Sequence, residues 1–381
     1  MRILMLCYEF PPLGGGGSRV VHGLSRELVH LGHGVDVVTM AFRGLPRNED
    51  VDGVRVHRVP CVRLKEYACT IPEAATYLLF SMPKIKQLLR RNTYDIIHSH
   101  FILPDGLLAW RINRVTEFAY IITAHGSDVP GYNPDRLKLA HRVLAPLWKT
   151  VVRNAACMVC PGRSLQSLVA ARMPGLSTDV IPYGFEAGRY DPHVERRKRI
   201  LVVTRMVQRK GVQFLLQALA TLELEHEVHI VGDGPYLATL RKLAADNGIN
   251  AAFHGWLDNR STELNTLYET SELFVLASEA ENFPVALLEA MAAGLAIITT
   301  KGTGCAEVVG HAAILVDPRN PDQLRTALVT LTNDANLCRK LGLAAKKRVE
   351  ELFSWSVVTK RYLRLYKRFG ARRNSAAGRS P

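Results

Sequence analysis

The chain runs to 381 residues, with a formal net charge of +14, 48% hydrophobic residues and seven cysteines. At roughly 100–200 residues per domain, that length leads to about two domains, each able to bury its own core. The composition excludes a disordered or fibrous chain, and no uncharged apolar run reaches the roughly 18–20 residues that a spanning helix needs.

In chain order, apolar runs alternate with helical stretches, the pattern of parallel α/β sheets. Met1 leads directly into the strand-like "RILMLCYEF", which reads as a start without a cleaved leader, and the expected location is the cytoplasm. Further strands are expected in "VDVVTM", "VRVHRVP", "DIIHSH", "AYIITAHG", "CMVCPG" and "DVIPYG", with helices at 18–32 and 134–155 among those between them. The segment "EAGRYDPHVERRKR" reads as a linker, and the series restarts at Arg199. It continues through "RILVVTR", "EVHIVGDG", "AAFHGWL", "ELFVLAS", "AIITT" and "AILVDP", with helices at 211–222, 236–247 and 284–293. The fold class is therefore α/β, as two doubly wound Rossmann-like domains expected to face each other across a cleft. Their bounds are 1–187 and 199–353, and 370–381 reads as a disordered tail. Ligands of such sheets sit at the carboxyl ends of the strands, so functional residues should follow strands directly.

Charge is distributed unevenly: residues 1–190 carry +8, 191–359 carry −2 and 360–381 carry +8. Basic ends of this kind suit nucleic acid or an anionic membrane. An odd cysteine count in a cytoplasmic chain suits free thiols, and the lone C-x-x-C of Cys157 and Cys160 reads as core.

Several motifs fall where ligands are expected. "EFPPLGGGGS" follows the first strand, and Gly14 to Gly17 let backbone amides approach a phosphate closely. The loop lacks the Gly-Lys-Ser/Thr of a Walker A motif, and Thr39 ends the second strand where a nicotinamide enzyme needs a ribose-binding acid. "TRMVQRKG" puts Arg205 just after a strand and Lys210 five residues on. In "SEAENFPVALLEAMAAGLAIITT" Pro284 marks a helix start, so Glu281 lies in the preceding loop and Glu289 inside a largely apolar helix. A carboxylate there needs donors. Two readings stay open from the residues: an internal pair with Arg205 or Lys210, or an acceptor for ligand hydroxyls. Cations beside carboxylates and a free helix N-terminus suit a ligand with phosphates at one end and hydroxyls at the other, as in a nucleotide sugar.

The stretch "ENFPVALLEAMAAGLAII" resembles the E-x7-E motif of retaining glycosyltransferases of the GT-B fold, the group-one or family-four glycosyltransferases. The likeness covers almost the whole chain, through "PPLGGGGSRVVHGLSRELVHLGHGVDVVT", "YDIIHSHF", "TAHGSD", "TRMVQRKGVQFLLQAL", "IVGDGP" and "GTGCAEVV". The resemblance implies an acceptor-binding N-domain, a donor-binding C-domain and a last helix, 355–369, that crosses back to the N-domain. It implies that Glu289 holds the donor ribose and that Glu281 contacts the transferred sugar, aided by the Asn282 and Phe283 amides. Arg205 and Lys210 would hold the diphosphate with the Gly15 and Gly16 amides. His125 would contact the sugar near the reacting carbon, and Glu307 would support phosphate or helix-terminus contacts. It further implies a UDP- or GDP-sugar donor, a glycan or lipid-linked acceptor, a front-face mechanism, and neither metal nor other cofactor.

Other features are read around that frame. Asp50 and Asp52 in "EDVDG" form an Asp-x-Asp that reads as a turn, His100 and His125 read as cleft lining, and His98 as core or support. Tyr183 stands where the family usually has Asn, and Ala296 where Pro is common. "YLLFSMPKIKQLLRR" (77–91) mixes apolar and basic residues and suggests peripheral docking on the inner face of an anionic membrane. The rival readings are a non-hydrolysing nucleotide-sugar epimerase of the same fold and, more remotely, a nucleic-acid-binding protein. The latter lacks a recognised module.

Overall fold

The computed structural model describes residues 1–66, 68–116, 118–132 and 138–370. The tail expected at 370–381 lies, from 371 on, outside the described residues. The chain divides into two units, Met1–Gly184 joined by the C-terminal residues from Trp355, and Phe185–Ser354. The second unit thus begins ahead of the polar segment read as a linker.

The N-terminal unit carries β1 (Arg2–Leu6), β2 (Gly34–Met40), β3 (Asn48–Val51), β4 (Val54–Val59), β5 (Ile96–His100), β6 (Tyr120–Thr123), β7 (Cys157–Cys160) and β8 (Thr178–Val180). Among the described residues these form one sheet in the order β3-β4-β2-β1-β5-β6-β7-β8, parallel except for β3 against β4. Its helices are α1 (Gly16–His30), α2 (Ile71–Arg91), α3 (Asp105–Thr116), α4 (Lys138–Val143), α5 (Ala145–Arg153) and α6 (Arg163–Arg172). The strand order reverses between β1 and β5, the place where a doubly wound sheet opens for a ligand.

Side-chain alternation builds a core on each face of this sheet. Ile3, Met5 and Cys7 enter the layer of Val21, Leu24 and Leu28 from α1, whereas Leu4 and Leu6 join Tyr77, Ile85 and Leu108 on the other side. Burial on both faces explains why β1 reads as an unbroken apolar run.

The C-terminal unit carries β9 (Arg197–Val203), α7 (Val212–Leu219), β10 (Glu227–Val231), α8 (Leu237–Asp246), β11 (Ala251–Gly255) and α9 (Thr262–Thr270). It continues with β12 (Ser271–Leu276), α10 (Val285–Ala292), β13 (Ala296–Thr300), α11 (Gly304–Val309), β14 (Ile314–Val316), α12 (Pro321–Asn333) and α13 (Ala335–Leu352). Its sheet runs β11-β10-β9-β12-β13-β14, all parallel, with the reversal between β9 and β12. The last helix, α14 (Trp355–Gly370), belongs to the N-terminal unit, where Val358, Tyr362, Leu365 and Tyr366 complete the layer around α1.

Two local expectations give way. The segment around Asp50 is not all turn: Asn48–Val51 pairs antiparallel with β4, and the hairpin turns at Asp52, with φ 54°, and Gly53. The single helix expected over 134–155 is two, α4 and α5, interrupted at Leu144. Pro146 sits at the start of α5, where its missing amide costs nothing, and it could not have continued α4. Residues 133–137 lie outside the described residues.

Candidate active site

At the reversal point of the C-terminal sheet, the loops after β9 and β12 meet. Glu279 donates its amide to the Arg209 carbonyl at 2.9 Å, and the Ser278 hydroxyl reaches the same oxygen at 3.3 Å. Between them Gly211 adopts φ 74°, and a Cβ there would lie 1.9 Å from the Ala277 carbonyl oxygen. Only glycine satisfies both the left-handed backbone and that approach, which accounts for the Lys-Gly pair. Arg205 is exposed at the carboxyl end of β9, and Lys210 closes a short 3-10 turn, Gln208–Lys210.

The Lys210 ammonium pairs directly with the Glu281 carboxylate, both side chains being largely buried. Glu281 and Asn282 are further enclosed by α11: Gly304 donates its amide to the Glu281 carbonyl at 2.9 Å. Asn282 is buried, and neither polar atom of its side chain has a hydrogen-bond partner among the described residues. Phe283 is also buried and packs edge-on against Phe353, so its contribution to any ligand is its backbone amide. Pro284 caps α10, whose first turn has no acidic residue and no side-chain cap. Its N-terminal amides and dipole therefore favour an anion or polar ligand atoms.

Glu289 lies inside α10, 2% exposed, and Lys210 pairs with Glu281 rather than with it. Tyr268 donates its hydroxyl to Glu289 Oε2 at 2.9 Å, and Asn259 Nδ2 donates to Oε1 at 3.3 Å. Arg189 Nη1 lies 3.6 Å from Oε1. Arg189 also donates to the Asn259 carbonyl and, at 2.8 Å, to Asn265 Oδ1, which ties the start of this unit to the loop after β11. Glu307 sits half-buried in the first turn of α11, where its carbonyl accepts from Arg348 at 3.0 Å.

The N-terminal unit presents mostly neutral groups at its own reversal point. Gly15 caps α1, and its amide donates to the Glu9 carboxyl, which burial raises above the usual carboxylate range despite that bond and nearby Arg63. Gly16 starts α1 and is exposed. A Cβ on Gly17 would sit 2.9 Å from Phe101 and 3.3 Å from His125 Nδ1, so the glycine run and His125 are in contact range.

His98, His100 and His125 line adjacent strand ends. His98 is an internal support: Nδ1 contacts the Tyr366 hydroxyl and Nε2 the Thr123 hydroxyl, each at 2.8 Å. His100 Nδ1 lies 3.3 Å from His125 Nε2, and His125 Nδ1 lies 2.9 Å from the Tyr183 hydroxyl. Burial pulls His98 and His125 down to about 3, and His100 well below its ordinary value, so all three rings are neutral at physiological pH. Asp128 accepts the His125 and Ile102 amides at 2.9 and 3.0 Å, while burial pushes its carboxyl up to about 6. The Asp-x-Asp pair is spent on its hairpin: Asp50 accepts the Gly53 amide at 2.7 Å, and Asp52 lies 3.0 Å from His22 Nε2.

Sequence reasoning passed over Arg189, Asn259 and Tyr268 as partners of Glu289, and Asp128 as the anchor of the His125 loop. Only Asp128 left a local signal, since Asp in a Gly-containing turn commonly bonds nearby backbone amides.

Comparison with known proteins bears on the family and the fold. The family described as Glycosyltransferase Family 4 matches residues 14–189, and that described as Glycosyl transferases group 1 matches 189–348. An uncharacterized glycosyltransferase of Methanocaldococcus jannaschii is 27% identical, over 96% of this chain and 98% of its own. An MMP alpha-(1->4)-mannosyltransferase of Mycolicibacterium hassiacum is 29% identical, over 98% and 99%. Sucrose-phosphate synthase from Thermosynechococcus elongatus superposes with a TM-score of 0.82 at 22% identity, covering 97% of this chain and 99% of that one. An Anabaena protein solved in complex with UDP superposes with a TM-score of 0.75 at 16% identity, covering 96% and 100%. These solved structures bear on the fold, which is GT-B.

Proposed function

This chain belongs to the group 1, family 4 glycosyltransferases, and on that premise we propose that it is a retaining enzyme. In this reading it moves a sugar from a UDP- or GDP-sugar to a glycan or lipid-linked acceptor, without a metal ion. The observation that carries the reading is the meeting of Lys210, Glu281 and the N-terminus of α10 at the reversal of the C-terminal sheet. Buried Glu289 follows one helical segment later.

The roles follow from charge. Breaking the bond between the anomeric carbon and the phosphate oxygen leaves negative charge on the diphosphate. Arg205 and Lys210 stabilise that charge in place of a divalent cation. Lys210 exchanges its bond to Glu281 for one to phosphate, freeing the Glu281 carboxylate for sugar hydroxyls beside the Asn282 and Phe283 amides. Glu289 accepts from the ribose hydroxyls, and Glu307 supports the phosphate side through the α11 terminus. His125, neutral, lies by the reacting carbon. The acceptor oxygen then bonds to that carbon on the face the diphosphate leaves, and its proton passes to the departing phosphate oxygen.

Release of nucleoside diphosphate from UDP-glucose or GDP-mannose, followed with and without candidate acceptors, tests this. Release that an acceptor accelerates, with an α-linked product from an α-linked donor, supports it. An inverted product overturns the retaining assignment. The epimerase reading is not favoured, since the matched families are transferases.

A second reading concerns location. No helix among the described residues is long and apolar enough to cross a membrane. On α2, Tyr77, Ser81, Ile85 and Leu88 form the buried stripe, while Leu79 and Phe80 are exposed on the same helix as exposed Lys86, Arg90 and Arg91. Apolar groups next to cations suit the surface of an anionic bilayer. Co-sedimentation with anionic but not neutral vesicles, weakened by salt, is expected; equal recovery with both removes the idea.

A further inference from the structure

The Tyr183 hydroxyl is 2.9 Å from His125 Nδ1. The two rings are stacked, 5.6 Å apart at 26°, and Phe101 lies against the His125 ring at 4.3 Å. On the far side, His100 Nδ1 is 3.3 Å from His125 Nε2. The outer nitrogen of His100, Nε2, is buried and has no hydrogen-bond partner among the described residues. The His125 ring is therefore held at both nitrogens by its own unit.

These contacts decide where the protons sit. A neutral imidazole has one N–H donor and one acceptor nitrogen. Were His100 protonated at Nε2, a buried N–H would be left without an acceptor, the rarer and costlier arrangement. We assign the His100 proton to Nδ1, from which it is donated to His125 Nε2. His125 then carries its proton on Nδ1 and donates it to the Tyr183 oxygen. Burial raises the Tyr183 hydroxyl well above its ordinary value, so it stays protonated and neutral.

We propose that Tyr183 is a positioning residue that fixes the tautomer and ring orientation of His125 and, through it, the rate of sugar transfer. A neutral imidazole is a dipole whose direction changes with its tautomer. A ring protonated at Nδ1 places its electron-rich nitrogen toward His100 and its N–H toward Tyr183, giving a fixed field at any positive charge developing on a nearby sugar carbon. Preorganised dipoles of this kind need no reorientation during the reaction. The inference rests on the reading that His125 lies beside the reacting carbon.

The test uses the full-length protein with 15N-labelled histidine and the variants Tyr183→Phe and His125→Ala. Long-range 1H–15N spectra of the wild type are expected to show His125 protonated at Nδ1, and Tyr183→Phe to move that proton or broaden the assignment. Release of UDP from UDP-glucose and of GDP from GDP-mannose should then show kcat lowered about 10-fold in Tyr183→Phe with donor KM within about two-fold, the pattern of a misaligned group. An unchanged tautomer, or an unchanged kcat, overturns the proposal. Should Tyr183→Phe not fold, the wild-type spectrum decides alone, since an Nε2-protonated His125 contradicts the assignment. Wild-type turnover in His125→Ala would instead remove the role given to His125, while the spectra still report whether Tyr183 orders the ring.

Discussion

The two sheets reverse their strand order in the same way, between β1 and β5 in one and between β9 and β12 in the other, yet load that position differently. The C-terminal reversal gathers full charges, Arg205, Lys210 and Glu281, with Glu289 buried behind them. The N-terminal reversal gathers glycine amides, three neutral histidines and a tyrosine. One topology thus supports two kinds of chemistry, because the scaffold determines only where loops converge and the loop residues determine what converges there. Charged groups suit binding of phosphates and hydroxyls, whereas buried neutral dipoles suit a transient charge that must not be met by a competing proton.

The sharpest way to break this contrast is at the charged end. Lys210→Ala and Glu289→Ala are each expected to lower kcat/KM by about 100-fold or more, the scale of losing a fixed electrostatic partner in an active site, with the circular dichroism spectrum retained. Near-normal turnover in either would remove its assigned role. Gly211→Ala should act on folding, because it meets both an unfavourable φ and the Ala277 oxygen at 1.9 Å. A loss of about 3 kcal/mol in urea unfolding is expected, and an unchanged midpoint would contradict the packing described. Arg189→Ala tests whether Glu289 is held from outside α10. Its donor turnover should fall by about 10-fold, the cost of a loosened rather than deleted group, and wild-type kinetics would show that Tyr268 and Asn259 suffice.

The neutral end has its own test in pH. His98 is fully buried, and burial holds it down to about 3. The unfolded chain therefore binds a proton below about 6.5 that the folded chain refuses, so stability falls as pH falls, by about 1.4 kcal/mol per pH unit between about 6.5 and 3. Asp128, raised to about 6, works in the opposite direction between about pH 4 and 6, so the difference between His98→Gln and wild type isolates the histidine. That variant should lose stability at pH 7.5 and regain it relative to wild type on acidification. Parallel pH profiles would mean that His98 is not held neutral.

Much of this organisation was legible in residue order. The alternation of apolar runs with helical stretches and the restart at Arg199 marked the parallel sheets, and Pro284 marked the start of α10 to within a residue. The positions of Arg205, Lys210, Glu281 and His125 just after strands followed from the same reading. The β3 hairpin did not, because "NED" carries charged, turn-forming residues and is a strand only through its pairing with β4.

By itself the amino-acid order determined periodicity, breaks and spacing, since these depend on neighbours a few residues apart, and it therefore placed the elements and the ends of the strands. Only the tertiary structure decided the pairings: Lys210 with Glu281 rather than with Glu289, Glu289 with Arg189, Tyr268 and Asn259, and Tyr183 with His125. Those partners lie between 21 and 100 residues apart in the chain. Hydrogen bonds and charge pairs act over a few ångströms of space, so their identity emerges only when the packing of the strands and helices brings distant side chains together.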